Sequence, residues 1–262
     1  MYMLYNLLIL GVVGCYCAAA LMQILFLTAR LNGKQISVFY LGLLAVLGHA
    51  WLLYAWIDTS TGQNLTLFNL FSQAAWLVAV IHLLLAIRKP LENLGIFIFP
   101  ISAMSIILAV LFPGQSIVNT ALNPVGLIHL FLAIGAFSTF CLAACQALLI
   151  VIQNWQLRHK DTRHALRILP PVESMEKLLF QLIAVGFILL TILIISSFYF
   201  FNDIFYAPLL SKILLTVLAW LIFAILLIGR FLFGWRSSTV VCWTLSGVVL
   251  LLICYLVSQL IA

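Results

Sequence analysis

Three histidines and one lysine interrupt long apolar runs in this chain: His49, His82, His129 and Lys212. Neutral imidazole is a good ligand for iron or copper and the usual axial ligand of a haem iron. A lysine ammonium is a natural partner for a carboxylate. All four side chains are costly in lipid, so each needs a partner, from the protein or from a ligand. His129 lies about one turn inside GLIHLFLAIGAFS, and His49 about two turns from the end of its run. His82 lies close to the end of its own run, and Lys212 opens KILLTVLAWLIFAILLIGR. Spacing leaves two readings open for each histidine, a helix-to-helix hydrogen bond or a ligand. Lys212 either reaches for lipid headgroups or meets an anionic group of a cofactor. His159 and His164 fall in a basic connector and read as solvated.

Other chemistry is missing. No Asp or Glu lies deep in an apolar run, which argues against transport coupled through buried carboxylates. There is no Walker A pattern, no HExxH, no GxSxG and no carboxylate pair, so hydrolysis and phosphoryl transfer are poor readings. Binding without catalysis fits better, and no catalytic residue is assigned. Six cysteines (15, 17, 141, 145, 242 and 254) form no CxxC or CxxCH motif. Cys141 and Cys145 are one helical turn apart and read as packing residues.

The elements that position these side chains are legible from composition. Of 262 residues, 66% are hydrophobic and 7% charged, against roughly a quarter charged in a soluble domain. Too few charges remain for an aqueous surface, so the solvent is mostly lipid. Apolar runs over about 4–27, 37–57, 67–87, 95–112, 124–153, 176–200, 209–229 and 239–261 predict an all-α bundle of eight transmembrane helices. The fourth is short and the fifth long, and the whole reads as a single integral membrane domain. Arg30, Lys34, Arg88, Lys89, Arg158, Lys160, Arg163, Arg167, Lys177, Arg230 and Arg236 occupy alternate connectors. Lys212 alone lies on the other side, so 11 of the 12 basic residues share one face. The positive-inside rule makes that face cytoplasmic and puts both termini on the outer, periplasmic side. Trp155 and Trp235 suit the inner interface, and Trp56, Tyr199 and Tyr206 the outer one. The net charge of +6 therefore reports topology, not a nucleic-acid partner. The apolar N-terminal run lacks a basic leader and reads as a retained span. Pro170-Pro171 breaks the basic connector 154–175 before the sixth helix.

Four stretches of the second half resemble the cytochrome c assembly protein family of haem-handling membrane proteins, and within it a short inner-membrane branch. IHLFLAIGAFSTFCLAACQALLIVIQNWQLR looks like the family helix that opens with an external-side haem histidine, with His129 at that position. LPPVESMEKLLFQLIAVGFILLT carries Gly186-Phe187 and Leu189-Leu190-Thr191, similar to the family's GFxLLT. KILLTVLAWLIFAILLIGR aligns Lys212, Trp220 and Arg230 with a family Lys, Trp and Arg, and LLLICYLVS is similar to the last family helix. In the first half GQNLTLFNLFSQAAW gives a loose match, with Gln63 where larger members often carry histidine. The tryptophan-rich WxWD element is replaced by FYFFNDIFYAPLLSK. Ile228 and Ser211 stand at two positions where relatives have histidine. Of the family's haem histidines, only His129 has its motif position.

The resemblance implies a multi-pass bacterial inner-membrane protein that binds or relays haem near the outer face. On that reading His129 is an axial iron ligand, and the second axial position is His49 or is open for transfer. Lys212 pairs with a propionate, and Trp220 or phenylalanines of the outer half line the ring. Partners are then the lipid bilayer, haem and other membrane-bound cytochrome assembly components. The alternatives are a haem-free scaffold or regulator of another integral membrane protein, whose basic loop binds lipid or partner, and a small-molecule permease.

Overall fold

In the computed structural model, the described residues are 2–28, 36–59, 62–87, 92–118, 124–158, 170–200, 207–236 and 238–260. Arg30, Lys34, Arg88, Lys89, His159, Lys160, Arg163, His164, Arg167 and Tyr206 lie outside them, as do the side chains of Tyr199 and Ser211. Eight α-helices account for nearly all of the described chain. They are α1 (Tyr2–Leu27), α2 (Ile36–Ile57), α3 (Leu67–Ala86), α4 (Gly95–Leu111), α5 (Pro124–Arg158), α6 (Val172–Phe200), α7 (Ala207–Phe233) and α8 (Ser238–Leu260). They coincide with the eight apolar runs. Seven are long and apolar enough to cross a membrane. The exception, α4, has 17 residues and extends about 26 Å at 1.5 Å per residue, just short of a bilayer core. Helix α5 runs on to Arg158, as its polar tail QNWQLR anticipates, and α6 starts directly after Pro170-Pro171.

The helices form two compact units, one of Met1–Asn119 with Gln156–Pro170 and the other of Thr120–Trp155 with Pro171–Ala262. In the first unit α1 packs against α2 and α4, and α3 against the same two, so the four helices close a ring. Lipid supplies no hydrogen bonds, so polar side chains must turn inward. They do: Tyr16, Gln23, His49, Ser72, His82, Ser102 and Ser105 are all buried. Leu44, Leu47, Trp51 and Leu84 face outward.

One feature of the first unit left no trace in the apolar pattern. Two connectors pair as a small antiparallel sheet, β1 (Asp58–Thr59), β2 (Gly62–Asn64) and β3 (Ile117–Val118), with Thr59 opposite Gly62 and Asn64 opposite Ile117. Gly62 has φ 151°, a conformation that favours glycine. Asn64 ties the sheet across, its Nδ2 donating to the Gly114 carbonyl at 3.0 Å and its Oδ1 accepting from the Ser116 N–H at 2.9 Å. Thr66 caps α3.

In the second unit α7 packs against α6 and α8, and aromatic rings fill the space that glycines leave. Phe140 of α5 stacks on Phe223 of α7 with centroids 3.9 Å apart. Gly186 of α6 lies against the Phe140 ring and Gly247 of α8 against the Phe223 ring. Helix α7 ends at Gly234, φ 63°, whose N–H reaches the Arg230 carbonyl at 3.2 Å in a left-handed C-terminal cap. The Arg230 guanidinium donates to the Trp235 carbonyl at 3.0 Å and covers the Phe180 ring at 4.7 Å. That Arg is thereby satisfied by local partners.

Candidate functional site

His129 and Lys212 line one cavity of the second unit, together with Leu193, Ile194, Ser197, Ile213 and Thr216. Its volume is about 120 Å³. His129 lies one turn into α5 and Lys212 one turn into α7, while Ser197 lies in the last turn of α6. The cavity therefore sits where the start of α5, the end of α6 and the start of α7 meet.

The hydroxyls around this cavity are already directed. Ser196 donates to the Leu193 carbonyl at 2.7 Å, Ser197 to the same carbonyl at 3.0 Å, and Thr216 to the Lys212 carbonyl at 2.8 Å. These contacts to the preceding helical turn satisfy hydroxyls within an apolar segment. His129 Nδ1 lies 3.0 Å from Ser196 Oγ. With the Ser196 hydrogen on the Leu193 carbonyl, the serine oxygen accepts from His129 Nδ1 in the tautomer that carries its hydrogen there. In that tautomer the lone pair of the neutral imidazole is on Nε2. That is the arrangement found in metal-ligating histidines, where the second nitrogen donates to a protein acceptor. Lys212 contributes the cation, Leu193, Ile194 and Ile213 the apolar wall.

Ser196 was not among the candidate residues, though IISSF is the only paired-serine break in α6. Its role carries a prediction. Ser196→Ala removes the acceptor for Nδ1–H and releases the ring's tautomer and orientation. Affinity for a metal-centred ligand at His129 is expected to fall roughly 10- to 100-fold, measured by titration of the purified protein with haemin, while helix content is unchanged.

The remaining candidates stand elsewhere. Trp220 is eight residues beyond Lys212 on α7, about 12 Å along the axis, and the cavity is not lined by it. Its indole N–H donates to Thr191 Oγ1 at 2.9 Å, and its ring stacks on Phe187 at 5.3 Å. Gly186-Phe187 and Thr191 of the GFxLLT-like stretch are thus the contacts that fasten α6 to α5 and α7. His49 belongs to the first unit and is fully buried. Its Nδ1 lies 3.2 Å from the Tyr16 hydroxyl and its Nε2 2.8 Å from Ser72 Oγ. Both ring nitrogens are taken by protein hydrogen bonds, so the expectation of His49 as a second iron ligand has no nitrogen to act through. His82 is buried with its ring edge-on to Phe99 at 5.6 Å. Among the described residues no group of three His, Cys, Asp or Glu side chains comes together to hold a metal ion.

Inner membrane protein YpjD of Escherichia coli strain K12 is 28% identical over 220 residues, which is 83% of this chain and 83% of the relative. The YpjD proteins of E. coli O6:H1 strain CFT073 and of E. coli O157:H7 match to the same extent. No solved structure matches. The Cytochrome C assembly protein family matches residues 37–262, every helix but the first. With seven helices fit to cross a bilayer and that span of similarity, the chain is a multi-pass inner membrane protein and belongs to the cytochrome c assembly protein family.

Proposed function

We propose that this protein holds haem transiently near the outer face of the membrane, for relay to other assembly components, and has no catalytic activity of its own. The observation that carries the reading is the shared cavity of His129 and Lys212, with Nδ1 of His129 3.0 Å from Ser196 Oγ. A haem bound there would supply a ferric or ferrous iron for imidazole ligation and two carboxylates for a cation. The residues fit those two demands. His129 would offer Nε2, Ser196 would hold the ring, and Lys212 would neutralise a propionate. Pockets that engulf a ligand run to about 300–1,000 Å³. A cavity of about 120 Å³ covers only part of a tetrapyrrole, which suits a carrier better than a permanent electron-transfer site. His49 and Trp220 have no part in this proposal. The positive-inside asymmetry supports an eight-span topology with both termini outside and the cavity toward the periplasm.

The test is direct. Protein purified in mild detergent and titrated with haemin is expected to give a Soret band saturating at one haem per chain. A featureless titration, superimposable on haemin in detergent alone, would overturn the reading. The limited enclosure of the cavity favours the scaffold reading as second choice. A stoichiometric membrane partner in a sample that neither carries nor takes up haem would establish it.

A further inference from the structure

The interior of the first unit carries a column of polar groups that the cavity of the second unit does not use. It begins at Asn69, buried in the first turn of α3 with its Nδ2 on the Asn64 carbonyl at 3.1 Å. One turn on is Ser72, whose Oγ meets His49 Nε2 at 2.8 Å, and His49 Nδ1 meets the Tyr16 hydroxyl at 3.2 Å. Beyond Tyr16 the column is interrupted by one aromatic ring. The Phe99 ring centroid lies 6.0 Å from that of Tyr16 and 5.6 Å from that of His82. Past it come His82 and, in the last turns of α1, Gln23, which donates to Asn93 Oδ1 at 3.0 Å. Ser72 and His82 are ten residues apart on α3, about 15 Å along the axis. The column therefore follows the bundle lengthwise.

Two details separate this column from ordinary core hydrogen bonding. His82 is 2% exposed, and its Nδ1 has no hydrogen-bond partner. A buried polar atom in that state costs about 1–3 kcal/mol and is a place that a water molecule can satisfy. The second detail is the seat of Phe99. A Cβ on Gly42 would stand 2.9 Å from its ring, and one on Gly95 2.7 Å. Two glycines thus hold a single apolar plug between a hydrogen-bonded half and an unsatisfied imidazole.

We infer that the first unit contains a proton path, closed at rest by Phe99 and open when that ring moves aside. Each step conserves protons. Water reaching His82 gives a proton to its Nδ1 and recovers one from solvent. With Phe99 displaced, water carries the proton on to the Tyr16 oxygen as Tyr16 passes its own hydrogen to His49 Nδ1. His49 releases its Nε2 hydrogen to Ser72, which hands one to water near Asn69. The transfer leaves the His49 hydrogen on the nitrogen facing Tyr16. The relay resets when the imidazole ring turns over to present that N–H to Ser72 and the two hydroxyls rotate back, after which one proton has crossed. The reverse direction uses the same groups. The titratable groups in the column are Tyr16, His49 and His82. Among the described residues of this unit no Lys, Arg, Asp or Glu side chain is buried.

The full chain, reconstituted in liposomes with an entrapped pH-sensitive dye and a valinomycin-set potassium potential, reads the path. Phe99→Ala is expected to equilibrate pH roughly tenfold faster than wild type, a modest drop in barrier. Phe99→Ala combined with His49→Phe is expected to return to the wild-type rate. Should Phe99→Ala fail to give a monodisperse helical protein, Phe99→Leu is measured against the same His49→Phe background. Folded Phe99 variants that leak no faster than empty vesicles overturn the inference. A leak that persists undiminished with His49→Phe does so too, because it is then a packing defect and not a relay.

Discussion

Haemin added to the His129→Ala protein is expected to bind at least about 100-fold more weakly than to wild type, the loss of an iron ligand exceeding that of its supporting residue. What remains should lack the imidazole-ligated Soret position. The companion variant Lys212→Met separates the two roles. It keeps the apolar stem and the length of the side chain and removes only the charge. Because the lysine is only partly buried and lies one turn from its helix start, its loss is expected to weaken binding only about three- to tenfold. The band position should not move. A Lys212→Met spectrum shifted like that of His129→Ala would mean that the two side chains do not act on separate parts of the ligand. An unaltered His129→Ala titration would remove the imidazole from the site altogether.

These two residues were legible in the sequence because lipid makes them conspicuous. An ionisable side chain in an apolar run has few explanations, and His129 and Lys212 needed only a common depth to be linked. The eight helices were legible for the same reason, since a bilayer fixes the length of each apolar run. The partners were harder to read. Ser196, Ser197 and Thr216 are common in membrane helices, where a hydroxyl satisfied by its own preceding turn leaves no imprint on hydropathy. His49 shows the opposite difficulty. Nothing in LGLLAVLGHAWLL signals that Tyr16 and Ser72, 33 and 23 residues away, take both ring nitrogens. Trp220 was read from resemblance as a ring-lining residue, and its actual contacts with Thr191 and Phe187 require the register of α6 against α7. The small sheet escaped because strands of two or three residues carry no period.

Glycine placement in the second unit carries a different consequence, for stability. Gly186, Phe140, Phe223 and Gly247 form a four-layer stack drawn from α6, α5, α7 and α8. A Cβ at Gly186 would come within 2.9 Å of Phe140, and one at Gly247 within 2.6 Å of Phe223. The rings are already 3.9 Å apart, so neither can retreat from its glycine without pressing on the other. In a bilayer helices gain little from the hydrophobic effect against one another, and close packing decides their association. Gly186→Val and Gly247→Val should each cost about 3 kcal/mol or more, at the upper end of overpacking penalties, seen as loss of the cooperative thermal transition in detergent. The diagnostic variant is Gly247→Ala with Phe223→Leu, which removes ring volume where the methyl is added. It is expected to recover about half or more of the stability lost in Gly247→Ala alone, a coupling of the size seen between residues in contact. Simple additivity of the two changes would mean that the stack is not the element limiting helix approach.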